Sequence, residues 1–137
     1  MSAKIDQFTE SLRLKLTKWE SQINGLKADI ETVERDGEAT IESMLKAARL
    51  SVESQGEAVK AAGAKAKNWL KAKEEASVAV VQGWKDKHEQ HKLEHRAERA
   101  EDSAGAAIYL AEAAITEAIV AIYEAMEARL ATAAVGA

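Results

Sequence analysis

The three histidines of this chain lie within eight positions of one another, in the stretch "KHEQHKLEHRAER". His88, His91 and His95 are spaced i, i+3 and i+7, which on a helix places them on one face. Imidazoles on such a face bind zinc, nickel or copper, especially where a symmetric dimer duplicates the set. A solvated charged helix with incidental histidines is the alternative. Because the same face continues through Val81 and Trp84, we also expect at least one imidazole to be partly buried against a neighbouring helix.

The same stretch contains a possible catalytic motif, since His91, Glu94 and His95 match the inverted zinc-peptidase pattern H-x-x-E-H. In that motif the histidines hold zinc and the glutamate activates a water molecule. Such an enzyme also needs a further metal ligand and a substrate cleft, for which a short, glycine-poor chain gives no sign. We therefore predict that the protein is not an enzyme and carries no cofactor.

The composition predicts that helices position these residues. The chain has 137 residues, of which 29 are alanine, and it contains neither proline nor cysteine. High alanine and charge without a helix breaker are typical of long helices and coiled coils. We predict an all-α fold, specifically an elongated antiparallel bundle or coiled coil of about three long helices in a single domain over residues 1–137.

The first predicted helix covers residues 3–35 and has a heptad stripe. Its apolar residues alternate steps of four and three, which keeps one stripe facing a partner helix. The stripe comprises Leu12, Leu16, Trp19, Ile23, Leu26, Ile30 and Val33. Gly37 follows as the residue expected to end the helix in a left-handed conformation.

A long second helix is predicted from about residue 38, and the position of the next turn has two candidates. One is residues 83–86, where Gly83 would end a helix and Asp86 with Glu89 would form a capping box. The other is residues 102–105, where Asp102 or Ser103 would cap a new helix. The alanine spacing continues without interruption past Asp102, which favours the first candidate.

The last predicted helix extends to about residue 134 and has two neighbouring apolar stripes. The first is a seam of alanines in 4-3 spacing, which allows helices to approach more closely than the usual 8–10 Å. The second is a stripe of larger residues, so this helix needs more than one neighbour. The predicted interface residues are Ala107, Ala111, Ala114, Ala118, Ala121 and Ala125 in the seam, and Ile108, Ile115, Ile119, Ile122 and Met126 in the stripe.

Charge excludes some partners. Residues 1–36 carry six bases and seven acids, residues 37–100 twelve and ten, and residues 101–137 one and six. No broad basic face of the kind that binds nucleic acid is predicted. The one basic run is Lys60, Lys65, Lys67, Lys71 and Lys73, which could contact anionic lipid or a polyanion.

Acidic residues also argue against a membrane span in the apolar last helix. Each glutamate in it would cost about 2.5–3.5 kcal/mol at the bilayer centre. The N-terminus lacks the apolar core of a signal peptide, so we expect a cytoplasmic protein.

These patterns predict a helical scaffold or interaction protein, either a homo-oligomer or bound to a helical partner. One alternative is a coat protein that lays amphipathic helices on a lipid or polymer surface. The other is metal binding through His88, His91 and His95.

Overall fold

The computed structural model describes residues 3–136, and the fold within that range is all-α, as predicted. Five helices account for nearly all of these residues. They are α1 (Ala3–Asp36), α2 (Glu38–Ser54), α3 (Gly56–Glu75), α4 (Val78–Asp86) and α5 (Gln90–Gly136).

The first turn matches the sequence prediction. Helix α1 ends at Asp36, and Gly37 has a φ of 85°, a region that favours glycine. The Gly37 N–H donates to the carbonyl of Val33 at 2.9 Å, which satisfies one of the carbonyls at the end of α1.

The predicted long middle helix is interrupted twice, so the prediction of one continuous helix is wrong. At Gln55 the N–H donates to the Val52 carbonyl at 3.1 Å, a tightened i to i−3 turn that separates α2 from α3. At Ser77 the side-chain oxygen accepts a hydrogen bond from the Val80 N–H at 3.2 Å and caps α4. The apolar spacing continues across Ala76 although the helix is interrupted there. Ser77, as an N-cap residue, was the signal that the sequence reasoning missed.

The turn before the last helix lies at residues 87–89, just after the favoured candidate at 83–86. His88 has a φ of 55°, and its N–H donates to the Lys85 carbonyl at 3.2 Å while the Glu89 N–H donates to the Trp84 carbonyl at 2.9 Å. These two bonds form a Schellman motif with His88, rather than Gly83, at the left-handed position. Helix α5 then continues through residues 102–105, so the second candidate turn is wrong.

The helices divide into two compact units. The first unit contains the described residues before Leu12 together with Glu57–Ala111, and the second contains Leu12–Gly56 together with the described residues from Glu112. Helices α1 and α5 each contribute to both units. The single domain predicted from the sequence stays a prediction.

The second unit has the larger apolar core. Its buried cluster joins residues from α1, α2 and α5, and Ile41 and Leu45 are at most 1% exposed. The cluster consists of Leu26, Val33, Ile41, Leu45 and Tyr123. In this unit α1 and α5 run in the same direction, because Lys15 contacts Glu112 and, further along both helices, Asp29 contacts Tyr123.

The first unit buries mostly small side chains, among them Ala62, Ala72 and Ala106. Gly105 allows a close approach here, because a β-carbon at that position would lie 3.3 Å from Cε1 of Phe8. One turn away, Lys4 and Asp102 form an exposed ion pair at 3.5 Å. A larger residue at position 105 would therefore require the Phe8 ring to shift by a few tenths of an ångström.

Candidate functional site

The predicted alanine seam lies on the exposed surface of α5. All six predicted interface alanines are exposed: Ala107, Ala111, Ala114, Ala118, Ala121 and Ala125. The buried face of the same helix is marked by Ala106, Ala113 and Tyr123 instead. The seam is therefore the face of α5 that the chain itself leaves uncovered.

The isoleucine stripe lies between the buried and the exposed faces of α5. Ile108, Ile115, Ile119 and Met126 are half-buried, whereas Ile122 is 40% exposed. Ile119 and Met126 pack against the core of the second unit. The two predicted stripes thus have different environments, since part of the isoleucine stripe edges the core and the alanine seam faces solvent.

A second uncovered apolar face lies on α1, within the second unit. Leu12, Leu16 and Ile23 belong to the predicted heptad stripe, yet they are 37%, 55% and 48% exposed. Trp19, Leu26 and Val33 from the same stripe are buried. The chain itself therefore covers only part of the heptad stripe that specifies packing of α1 against other helices.

Glu112 anchors α5 to α1 in the second unit. Its carboxylate accepts a hydrogen bond from Lys15 Nζ, and Lys18 Nζ lies 3.9 Å away. The hydrogen bond from Lys15 and the charges of both lysines lower the pKa of Glu112, although its partial burial acts in the opposite direction. One of the glutamates that interrupt the apolar segment is thus paired within the chain.

Tyr123 makes a further polar contact at the edge of this core. Its hydroxyl donates to Asp29 Oδ2 at 2.8 Å, and its ring is 7% exposed. Burial, together with the hydrogen bond and negative charge of Asp29, raises the pKa of Tyr123 to about 12. The phenol therefore serves as a neutral hydrogen-bond donor that fixes α5 on α1.

The three histidines do not share one helical face. His88 lies in the turn, whereas His91 and His95 lie on α5, so the i, i+3, i+7 geometry expected for one helix is wrong. All three side chains are exposed, and the expected partial burial of one imidazole is wrong too. Within residues 3–136, no group of three or more His, Cys, Asp or Glu side chains is placed to hold a metal ion. Metal binding through these histidines stays a prediction.

A basic face on α5 includes His95 but neither of the other two histidines. Lys92, His95, Arg96 and Arg99 follow i, i+3, i+4 and i+7 spacing, which places them on one side of the helix. All four line a cavity of about 140 Å³, together with Trp84 and residues of α3. The spacing is visible in the sequence, but the sequence prediction grouped His95 with His88 and His91 instead.

The hydropathy of α5 is also relevant to the site. An 18-residue window of this helix has a mean hydropathy of 1.6, and 11% of the window is buried. By length and composition alone, the helix is long and apolar enough to cross a membrane. Core helices of water-soluble proteins meet the same criterion, but they are mostly buried. The predicted absence of a membrane span therefore stays a prediction.

Comparison with protein-family models, curated proteins and solved structures gave no match for this chain.

Proposed function

We propose that the protein is a non-enzymatic helical scaffold that associates with a second copy of itself through the alanine seam of α5. One observation carries this proposal: six alanines in 4-3 spacing are all exposed on an uninterrupted helix. Spacing of this kind specifies packing against another helix, and small side chains permit a close approach. A solvated helix face has no comparable need for alanine at every seam position.

Charge favours an antiparallel second copy as the occupant. On α5, residues 90–100 carry three bases and two acids, whereas residues 101–136 carry one base and six acids. A parallel pair would place the two acidic segments side by side. An antiparallel pair instead places Arg129, the one base of this segment, near Glu101 of the other copy, which lowers the repulsion. Such a two-fold interface uses the same surface on both copies.

Sedimentation equilibrium of the Ala118→Gln variant tests this interface. Ala118 is exposed in the single chain, so glutamine should leave the monomer fold intact but prevent close approach at the seam. An overpacking cost of about 1–3 kcal/mol corresponds to dimerisation weakened about fivefold to 150-fold. The matched control is Ala47→Gln, at an exposed alanine of α2, which should dimerise like the unmodified chain.

Two results would contradict the proposal. One is a chain that remains monomeric at all accessible concentrations. The other is an equal loss of dimer in both variants, which would show that the alanine seam is not the contact surface.

A lipid-surface coat is the second candidate, and the mean hydropathy of 1.6 within α5 favours it. In that case the apolar face of α5 would lie in the interface of a bilayer. A chain that is monomeric in solution and co-sediments with uncharged phosphatidylcholine vesicles would support the coat over the scaffold.

A further inference from the structure

We propose that the basic face of α5 in the first unit, with Trp84, forms a binding site for a phosphate group. The site is independent of the alanine seam. Its walls come from three helices of one unit: Lys92, His95, Arg96 and Arg99 from α5, Trp84 from α4, and Ala72 and Glu75 from α3. Ala76, directly after α3, completes the lining. The cavity is therefore shaped by tertiary packing and is more than a cluster of lysines on one helix.

The charges around the cavity are unbalanced. Lys92, Arg96 and Arg99 line it as permanent cations, and Glu75 is the one acid in its lining. Lys92 also forms an ion pair with Glu89 at 3.2 Å. Arg99 makes no ion pair or hydrogen bond within the described part of the chain, so its guanidinium is available to a ligand. A planar guanidinium matches the oxygens of phosphate in a bidentate arrangement.

Aromatic contacts position two cations of this site, Arg96 and Lys92, and bring Lys73 close to it. Arg96 lies over the ring of Trp69, with its Cζ 5.6 Å from the ring centre, and Lys73 Nζ lies 5.8 Å from the same centre. Lys92 Nζ is 6.0 Å from the centre of the Trp84 ring. These contacts stabilise each cation individually, but they also gather like charges whose mutual repulsion a bound dianion would relieve.

A second cavity indicates where the rest of a ligand would lie. It has a volume of about 280 Å³ and shares Ala72, Glu75 and Arg99 with the first cavity. It adds Lys65, Asn68, Lys71 and Asp102, and the carboxylate of Asp102 forms an ion pair with Lys4. Neither cavity reaches the 300–1,000 Å³ of sites that enclose a drug-sized ligand. The geometry therefore fits a single phosphoryl group beside Arg99, with the remainder of the molecule extending past Trp84 or along the lysines.

The test is calorimetric titration of the whole protein with inorganic phosphate at constant ionic strength. We expect saturable binding that Arg99→Gln and, separately, Arg96→Gln each weaken about tenfold. Arg35→Gln removes the same charge from an exposed position on α1 in the second unit and should change binding less than twofold. Circular dichroism of each variant verifies that the helices are retained. Absence of saturable binding, or an equal loss in Arg35→Gln, would overturn the proposal.

A vesicle experiment distinguishes the two sources of phosphate. Vesicles that contain phosphatidic acid are compared with vesicles of phosphatidylcholine alone. If inorganic phosphate displaces the protein from the phosphatidic acid vesicles, the ligand is a lipid headgroup, whereas binding of phosphate without vesicle binding indicates a soluble phosphate ester. Vesicle binding that phosphate does not displace, without saturable phosphate binding, would instead show a charged membrane-binding surface and overturn the proposal.

Discussion

At the scale of single residues, His88 occupies a backbone conformation that glycine would adopt more easily. Its φ of 55° lies in the left-handed region, where a β-carbon is crowded by the neighbouring carbonyl. His88→Gly should therefore raise the free energy of unfolding by about 0.5 kcal/mol, after allowance for the greater entropy of glycine in the unfolded chain. Thermal melting followed by circular dichroism measures the change.

The control for this prediction is His95→Gly, within α5. Glycine in a helix interior is unfavourable, so this variant should have a free energy of unfolding a few tenths of a kcal/mol lower than that of the unmodified chain. If both glycine variants change stability in the same direction, the left-handed conformation of His88 does not limit stability.

The two left-handed positions show what residue types reveal about turns. Gly37 could be predicted because glycine is the residue that most readily adopts a positive φ. His88 could not, since a histidine in this conformation depends on the hydrogen bonds of the whole turn, which residue type does not encode. Gly83, the expected turn residue, lies inside α4.

At the scale of helices, the contact of Glu112 with Lys15 predicts a pH-dependent attachment of α5 to α1. The lowered pKa of Glu112 means that its contribution to stability is complete above the unfolded-state value of about 4.5 and is lost as the pH falls through the lower folded-state value. Glu112→Gln should therefore destabilise the protein by about 1 kcal/mol at pH 7, and by progressively less below pH 4.5.

Melting temperatures between pH 3 and pH 7 test this dependence. Glu117→Gln, at an exposed position five residues further along α5, should show a smaller difference from the unmodified chain at every pH. If the melting temperatures of Glu112→Gln and the unmodified chain differ by the same amount across this pH range, the charge of Glu112 does not contribute to stability.

The periodicity of apolar residues predicted the long helices better than it predicted their interruptions. It located α1 within a residue or two and favoured an uninterrupted α5 through residues 102–105, because regular apolar spacing follows one side of a continuous helix. It did not reveal the breaks at Gln55 and Ser77, where the apolar spacing continues although backbone hydrogen bonds change. It also could not distinguish a seam buried within the chain from one left exposed, because both have the same spacing.

At the scale of the whole molecule, the positions of Arg129 and Glu101 test the orientation of the proposed dimer. Ala100 and Ala128 continue the 4-3 spacing of the alanine seam at its two ends. Glu101 directly follows Ala100 and Arg129 directly follows Ala128, so both lie on the same flank of α5. In an antiparallel pair, residues on the same flank of the two helices face each other, and Arg129 of one copy would approach Glu101 of the other. Arg129→Glu should weaken dimerisation about fivefold, since the pair occurs twice and each exposed ion pair contributes less than about 1 kcal/mol.

The charge-swapped variant, Arg129→Glu combined with Glu101→Arg, should restore the affinity of the unmodified chain. Sedimentation equilibrium at low ionic strength measures both variants, because salt screens exposed ion pairs. A double variant that dimerises more weakly than Arg129→Glu alone would indicate a different orientation of the helices.

Neither compact unit is formed by one continuous segment, and this has a consequence for how the chain acquires its structure. The contacts of Glu112 with Lys15 and of Tyr123 with Asp29 join residues 97 and 94 positions apart. Helices α1 and α2 are synthesised well before the part of α5 that completes their apolar cluster. Isolated helices form within about a microsecond, so the search for these distant contacts, rather than helix formation, should limit the folding rate. During translation, Val33, Ile41 and Leu45 remain without their partner Tyr123 until most of the chain has emerged, and in that interval they are candidates for chaperone binding.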